Sequence, residues 1–450
     1  MNKYHFIAIG GIGMSGLAKY LLEDGCKVTG SDIMDTKYVE RLRNLGAEVK
    51  IGHSSANVPS DAIVIISSAI KENNPEILKA LELGLKVYHR SGLLKEVSED
   101  AQKNGMCFIG FSGTHGKTTT SGLCSYVLNR AELGPSFVVG GIIPDINTNA
   151  QHKNGKYFIA ELDESDGTIV KYNPDILVIN NLEEDHVDYY KNGLLDLVDT
   201  FNTAVKNSKK VIINNDNEGL NMLNGEFVTF GLHDADYTAK NIKTSEYFTT
   251  FDVYYKENFL ADIKIQLAGT HNVYNTLATI AALHEAGVDI DLVKEYYKDF
   301  TGMGRRFQKV CTINGAEVYD DYAHHPTEIK ATLEAAAAKF GKEHIIAVFQ
   351  PHRYTRLQGL WDDFKSAFGD ANRVIVTDVF AASENPINGI TAVNFASELE
   401  GAEYYSGSIG DVARKLLPTL HENDVVIGLG AGTITVLGKE LEKAAGYNKH

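Results

Sequence analysis

The sequence predicts an α/β protein divided into three domains, and three observations carry that reading. Short apolar runs alternate with helical patterns along nearly the whole chain, as in parallel sheets wrapped by helices. At 450 residues the chain is too long for one hydrophobic core, and ~150 residues per domain gives about three. The strand–helix series also restarts twice, which sets the expected domains at residues 1–105, 106–304 and 305–450.

Taken in order, Tyr4–Ile9 is a strand-length apolar run and Ser15–Glu23 carries a helical pattern. Lys27–Gly30, Asp61–Ser67 and Lys86–Tyr88 complete the first series as strands. The second opens with a strand at Met106–Phe111 and a helix at Lys117–Arg130, then strands near Tyr157–Leu162, Ile176–Asn180 and Val211–Asn214. The third has a strand at Ala316–Asp320, a helix at Pro326–Phe340, and strands at His344–Phe349, Arg373–Asp378 and Asp424–Gly428. No internal repeat or low-complexity linker separates them.

Composition is that of a globular protein, with 44% apolar and 23% charged residues. Lys and Arg number 43 against 59 Asp and Glu, a net charge of −16, which argues against a nucleic-acid or anionic-membrane binder. Anionic substrates would then be held by a few placed cations and by metal, against a repulsive far field. Cys26, Cys107, Cys124 and Cys311 form no C-x-x-C pair, as expected of reduced thiols in the cytoplasm. No run approaches the ~20 apolar residues of a membrane span. Met1–Ala18 is cut by glycines and lacks the basic start of a signal peptide. The expectation is a soluble, cytoplasmic protein with no nucleic-acid partner and no membrane insertion.

Two glycine turns carry the chemistry. Gly11-Ile-Gly13-Met-Ser15-Gly16 fits G-x-G-x-x-G, follows a strand and opens a helix, with Asp32 at the end of the next strand. Such a turn brings backbone N–H groups against a pyrophosphate at a positively polarised helix start. A dinucleotide and a UDP-sugar meet the same physics here, and a turn that only packs helix on strand has the same sequence. The second turn, Gly113-Thr114-His115-Gly116-Lys117-Thr118-Thr119-Thr120, also joins a strand to a helix. Phe111 stands where a strict Walker A motif has its first glycine, but the working parts remain. Amides cradle phosphate, Lys117 reaches the β/γ oxygens, and the Thr118 hydroxyl can ligate Mg²⁺. Two different phosphate ligands are therefore expected on one chain.

Downstream, Glu161, Asp163, Glu164 and Asp166 close one strand, and Glu183, Glu184, Asp185 and His186 close the next. At the carboxyl ends of neighbouring parallel strands both clusters should face the phosphate loop, where hard oxygens suit Mg²⁺. Glu161 and His186 are the candidate ligands; Asp163, Glu183 and Glu184 read as solvated loop acids or caps. In the third series His324, His325 and His352, with Asp320 and Asp321, are the groups available to deprotonate an amine. Arg353 and Arg356 either clamp a carboxylate bidentately or pair with surface acids.

Together with His271-Asn272-Val-Tyr-Asn275, Gly304-Arg305-Arg306-Phe307, Asp320-Asp-Tyr-Ala-His-His-Pro-Thr-Glu328 and Phe349-Gln-Pro-His-Arg-Tyr-Thr-Arg356, these motifs resemble the Mur ligases in order and along nearly the whole chain. The resemblance implies Rossmann-like first and third domains around a P-loop ATPase-like centre. It implies a ligase that uses ATP and Mg²⁺ to join L-alanine to the carboxylate of UDP-N-acetylmuramate, through an acyl phosphate, in peptidoglycan precursor synthesis. Gly11, Gly13, Ser15 and Asp32, with Ser68 and Arg90, would contact the UDP-sugar. Gly113, Thr114, His115, Gly116, Lys117, Thr118 and Thr119 would bind ATP phosphates, and His271, Asn272 and Asn275 would lie near adenine. Arg305 would reach the γ-phosphate, while His324, His325, Arg353 and Arg356 would serve the amino acid. Thr118 and Glu161 would hold one Mg²⁺, with His186 at a second. Phe201 or Asn202 stands where other members carry a carbamylated lysine, and Lys206 is too far along, so none is expected. The run Gln350–Arg356 is similar to the L-alanine-adding members. A ligase that recycles a whole tripeptide and, outside the family, an NAD-dependent oxidoreductase are the alternatives. The chain is expected as a monomer or homodimer.

Overall fold

The computed structural model describes residues 2–184, 189–245, 248–267, 269–382 and 384–447. It contains three sheets, one after another along the chain. The first holds β1 (Lys3–Ile7), β2 (Lys27–Asp32), β3 (Glu48–Ile51), β4 (Ile63–Ile66) and β5 (Val87–His89) in the order 3-2-1-4-5. All its pairings are parallel, so the crevice at the carboxyl ends of β1 and β4 lies where the strand order reverses. Helix α1 (Ile12–Glu23) starts three residues before the sequence pattern suggests, because Gly11 is already its N-cap.

The central sheet adds β6 (Cys107–Ser112), β7 (Ser136–Ile143), β8 (Thr148–Gln151), β9 (Tyr157–Glu161), β10 (Ile176–Ile179), β11 (Lys210–Asn214), β12 (Val228–Gly231), β13 (Tyr237–Thr244), β14 (Thr249–Tyr255) and β15 (Asn258–Ile265). Their order is 15-14-13-12-11-10-6-9-7-8. The middle is parallel, as read from the apolar runs, but both edges are antiparallel: β14 and β15 form a meander with β13, and β8 folds back on β7. Helices α2 (Lys117–Arg130) and α3 (Thr270–Glu285) pack together and bury Leu123, Val127, Leu277 and Ile280.

The third sheet holds β16 (Gln308–Ile313), β17 (Ala316–Asp321), β18 (Ile345–Phe349), β19 (Arg373–Thr377), β20 (Glu403–Tyr405) and β21 (Val425–Leu429) in the order 16-17-21-18-19-20. Only β16 runs antiparallel, hairpinned onto β17. Helix α4 (Pro326–Phe340) lies on one face, over a core that includes Leu333, Phe349 and Phe395. A separate core built on Val348, Val412 and Leu441 fills the other face.

The domains are joined differently. One continuous apolar core runs from Phe6, Leu17 and Leu93 of the first sheet and its helices into Phe108, Phe158 and Leu177 of the central one. Gly16 makes this possible, because a Cβ there would stand 2.8 Å from the Asn149 amide. That amide instead donates to the Ile12 carbonyl at 2.8 Å. The third domain hangs on the segment Thr301–Phe307, pinned to the β7–β8 hairpin by Thr301 on Asp145 and by the Gly304 N–H on the Ile142 carbonyl. Met303 fills the notch between Gly122 and Gly141. Phe201 lies in the core, and the Asn202 side chain accepts the Asn224 N–H.

Candidate active site

The first glycine turn leads from β1 into α1, with Gly11 exposed and Gly13 half-buried. Asp32, at the end of β2, is buried and accepts the N–H groups of Gly10 (2.8 Å) and Met34 (3.0 Å). Each of its oxygens accepts one backbone N–H, so Asp32 shapes the turn. Ser15 is buried and donates to the Ile12 carbonyl at 3.1 Å. Arg90 joins this turn to the central domain. Its guanidinium lies against Gly13, where a Cβ would be 3.3 Å from Nη1, and donates to Asp163 of the central domain at 2.8 Å. Ser68 is exposed and bonded to His89.

The second turn is tightly built. Gly113 (φ +125°) and Gly116 (φ +82°) adopt left-handed backbone, and any Cβ would meet Asn181 and Asn180 at the first or Asn275 at the second. Thr114 N–H donates to the Asn181 carbonyl, and His115 N–H donates to its side chain at 2.7 Å. The Thr114 hydroxyl exchanges hydrogen bonds with the Glu183 backbone. Helix α2 then presents its first-turn N–H groups and positive dipole end at the loop.

Lys117 donates to the carbonyls of Gly113 (2.6 Å) and Thr114 (3.1 Å) and to Glu164 at 2.8 Å. Burial alone would lower its pKa, but the charges of Glu164, Asp163 and Glu161 override this and raise it. The ammonium is therefore held charged in a dry site. Asp163 is pulled down to about 2, burial being outweighed by Lys117 and Arg90. Glu161 is raised by burial, against Lys117 and a Thr118 hydrogen bond, and accepts the Gly140 N–H at 2.9 Å. His186 lies outside the described residues.

A cavity of about 710 Å³ opens beside the loop, between the central and third domains. His115, Gly116 and Thr119 line one side; His271, Asn272 and Asn275 of α3 line another. Asn275 also braces the loop by accepting from the Thr120 hydroxyl at 3.2 Å. His271 is solvent-accessible in the cavity, where the enclosing protein and the charge of Arg306 lower its pKa. From the third domain it is Arg306 that lines the cavity. Arg305, expected there, turns away: its side chain lies over Tyr322 and donates to Asp320 at 3.3 Å and the Gly430 carbonyl at 3.0 Å. Arg305 takes a left-handed backbone, φ +62°, as does Phe307 two residues on.

The third domain gathers His324, His352 and Arg356. The rings of His324 and His352 stand edge to face at 5.8 Å, His352 stacks on Phe380, and Arg356 reaches His352 Nδ1 at 3.3 Å. Arg356 is buried, which removes the surface-pair alternative for it. Arg353 begins the same helix with φ +69°. Burial holds His324 at about 3, despite Glu328, and His352 at about 4, with Arg356 and Arg353 adding to the effect. His324 donates from Nδ1 to the Tyr322 carbonyl at 2.9 Å, leaving Nε2 as an acceptor. His325 caps α4, accepting the Thr327 N–H, with its ring 4.9 Å from that of His115.

Several side chains that matter here were read as bland or passed over. Asp163 and Glu183 are paired rather than solvated, and Arg306, Glu328 and Glu164 complete the same surroundings. The signal available was their position at strand ends and beside the motifs; the partners are distant in sequence, and for Asp163 and Glu328 they include Arg90 and His115 of a neighbouring domain.

A two-phosphate-loop α/β chain with this cavity is matched by three family models in succession. They are the Mur ligase family catalytic domain over residues 3–102, the Mur ligase middle domain over 111–283, and the Mur ligase glutamate ligase domain over 305–432. The chain belongs to the Mur ligase family of enzymes. Among its relatives, the UDP-N-acetylmuramate–L-alanine ligase of Geotalea daltonii is 39% identical, over 98% of this chain and 97% of that one. That of Trichlorobacter lovleyi is also 39% identical, over 98% and 99%. Among solved structures, the UDP-N-acetylmuramate–alanine ligase of Thermotoga maritima superposes with a TM-score of 0.84 at 29% identity, over 98% and 99% of the two chains. A murein peptide ligase from Psychrobacter arcticus shares the fold, with a TM-score of 0.75 at 22% identity. Among the described residues no helix is long and apolar enough to cross a membrane.

Proposed function

We propose that the chain uses ATP to join L-alanine to the carboxylate of UDP-N-acetylmuramate, in the cytoplasm, as a step of peptidoglycan precursor synthesis. The observation that carries this is the bridge Gly13–Arg90–Asp163, which sets the first glycine turn beside the Lys117 loop, in a chain that matches L-alanine ligases from end to end. In this reading residues 1–105 hold the UDP-sugar at Gly11, Gly13 and Arg90. Residues 106–304 hold ATP at Gly113–Thr119, with adenine near His271 and Asn272. Residues 305–450 present alanine, its carboxylate against Arg353 and Arg356.

A carboxylate forms no amide at neutral pH because oxide is too poor a leaving group. In the first step a muramoyl carboxylate oxygen attacks the γ-phosphorus, the bond to the β–γ bridging oxygen breaks, and ADP leaves. Lys117 neutralises charge as it spreads over the phosphoryl oxygens, the main work of such a site. The alanine amine then attacks the acyl carbon, and the C–O bond to phosphate breaks. The proton lost by nitrogen leaves to a base; His324 and His352 are neutral, but at about 3 and 4 they are too weakly basic to hold it, whereas Asp321, raised by burial to about 6, is better matched. Holding carboxylate, triphosphate and amine in line is worth effective molarities of about 10⁵–10⁸ M. Thr118 and Glu161 set two hard oxygens side by side beneath the loop, a donor set that fits Mg²⁺, with His186 as the implied further ligand. When bound, that ion would supply Lewis-acid neutralisation of phosphate charge.

The test is phosphate release from ATP across amino acids with UDP-N-acetylmuramate present. Release that requires both the sugar nucleotide and L-alanine is expected. ATP hydrolysis indifferent to alanine would overturn the reading, and a preference for the tripeptide would favour recycling.

A further inference from the structure

At the mouth of the cavity the phosphate loop and the third domain meet through a group of charges. His115 Nε2 lies 3.4 Å from Glu183 Oε2, on its own domain, and Nδ1 lies 3.3 Å from Glu328 Oε1, on α4. Both nitrogens face carboxylate oxygens at ion-pair distance, although Nε2 makes no hydrogen bond of good geometry, so the two acids attract the imidazolium electrostatically and do nothing comparable for the neutral ring. Thr327 donates to Glu183 at 3.0 Å, and Arg306 approaches Glu328 at 3.4 Å. Closing the third domain onto the loop thus assembles two cations and two carboxylates into a neutral set. The loop does not need this side chain for its own shape, since Asn180 and Asn181 already hold the His115 backbone.

We infer that protonated His115 is a positioning residue: a latch between Glu183 and Glu328 that holds the third domain closed over the nucleotide cavity. The latch rests on the ligase reading only for its kinetic consequence. Its titration follows from the same contacts. Burial would depress the imidazole, but the adjacent Glu183 and Glu328 carboxylates raise it to about 9. Besides these two acids, the groups facing it are His325, Thr327, Arg306 and His324, and His324 stays neutral. The closed form is therefore favoured at neutral pH and loses that support as pH rises through about 9.

The test uses the full chain with a non-hydrolysable ATP analogue and UDP-N-acetylmuramate. By small-angle scattering, wild type should be compact at neutral pH and expand above pH ~9, while Glu328→Gln should be expanded at both. Alanine kcat/KM should fall about tenfold in Glu328→Gln and in His115→Asn, and no further in the double variant, the non-additivity of a shared contact. Thr327→Val, which removes a single hydrogen bond, should shift closure the same way by a smaller amount and guards against a misfolded Glu328→Gln. Equal compaction of wild type and both α4 variants, or losses that multiply to about a hundredfold in the double variant, would overturn the latch. If wild type shows no alanine-dependent turnover, the ligase reading fails while the scattering comparison still decides the latch.

Discussion

Glu76 is fully buried beside β1 and β2 of the first sheet, and its carboxylate collects four donors. Ser54 N–H (3.0 Å) and Asn57 Nδ2 (2.8 Å) reach one oxygen; Ser31 Oγ (2.7 Å) and His5 Nε2 (3.0 Å) reach the other. Burial acts to raise its pKa, but the hydrogen bonds from His5, Ser31, Asn57 and Ser54 win and bring it down to about 2. Set against an ordinary 4.5, this corresponds to about 3 kcal/mol favouring the folded state. The sign follows from a depressed acid: the contribution is complete well above pH ~4.5 and is lost as pH falls toward ~2. Glu76→Gln keeps the shape but turns an NH₂ against groups that donate, so it should cost about 3 kcal/mol at neutral pH. The deficit should then shrink by about 1 kcal/mol at pH ~4 and further at lower pH, because only wild type loses the ionised carboxylate. Urea titrations of both proteins at these pH values measure the gap, and hydrogen exchange in β1 and β2 locates it. A gap independent of pH, or a Gln variant as stable as its parent at neutral pH, would refute the reasoning.

Lys117→Ala should suppress alanine-dependent phosphate release by roughly 10³-fold or more, while calorimetry finds UDP-N-acetylmuramate binding intact. Arg90→Ala, which empties the space between Gly13 and Asp163, should raise KM for the sugar nucleotide about tenfold, or ~1.4 kcal/mol, in steady-state assays. Gly122→Ala puts a methyl into the Met303 sulfur and should destabilise by about 1–3 kcal/mol in thermal melts; Met303→Ala in the same chain should recover part of that.

Much of this architecture was legible from local pattern. Helices α2 and α4 begin and end where their residues say, Lys117–Arg130 and Pro326–Phe340, because a glycine turn and a proline fix their starts. The parallel strands are short apolar runs and reveal themselves as such. The meander β13–β15 escaped because one face is solvated, and its alternation in Asn258–Ile265 dilutes the apolar signal. The β16–β17 hairpin turns at Asn314-Gly315, both with positive φ, a signal the apolar-run reading did not weigh. At the site, the loops were legible and the pairings were not. Nothing local tells Arg305 from Arg306; the turns of the segment, with positive φ at both Arg305 and Phe307, are not written in the motif. Glu183 and Glu328 are 145 positions apart in sequence, and only domain contact gives them a common partner.

The continuous core beneath the first two sheets has a mechanical consequence. Two nucleotide pockets seated on one apolar mass cannot drift apart without exposing Phe6, Phe108 and Phe158 to water, so the distance between sugar carboxylate and triphosphate is set by packing rather than by ligand binding. In the proposed ligase, freedom of movement is left to the third domain as carrier of the amine, because only a few residues around Gly304 tie it to the rest of the chain. The protein is in this sense an anvil and a hammer: a rigid bed where two anions are forced together, and a single moving arm that delivers the amine.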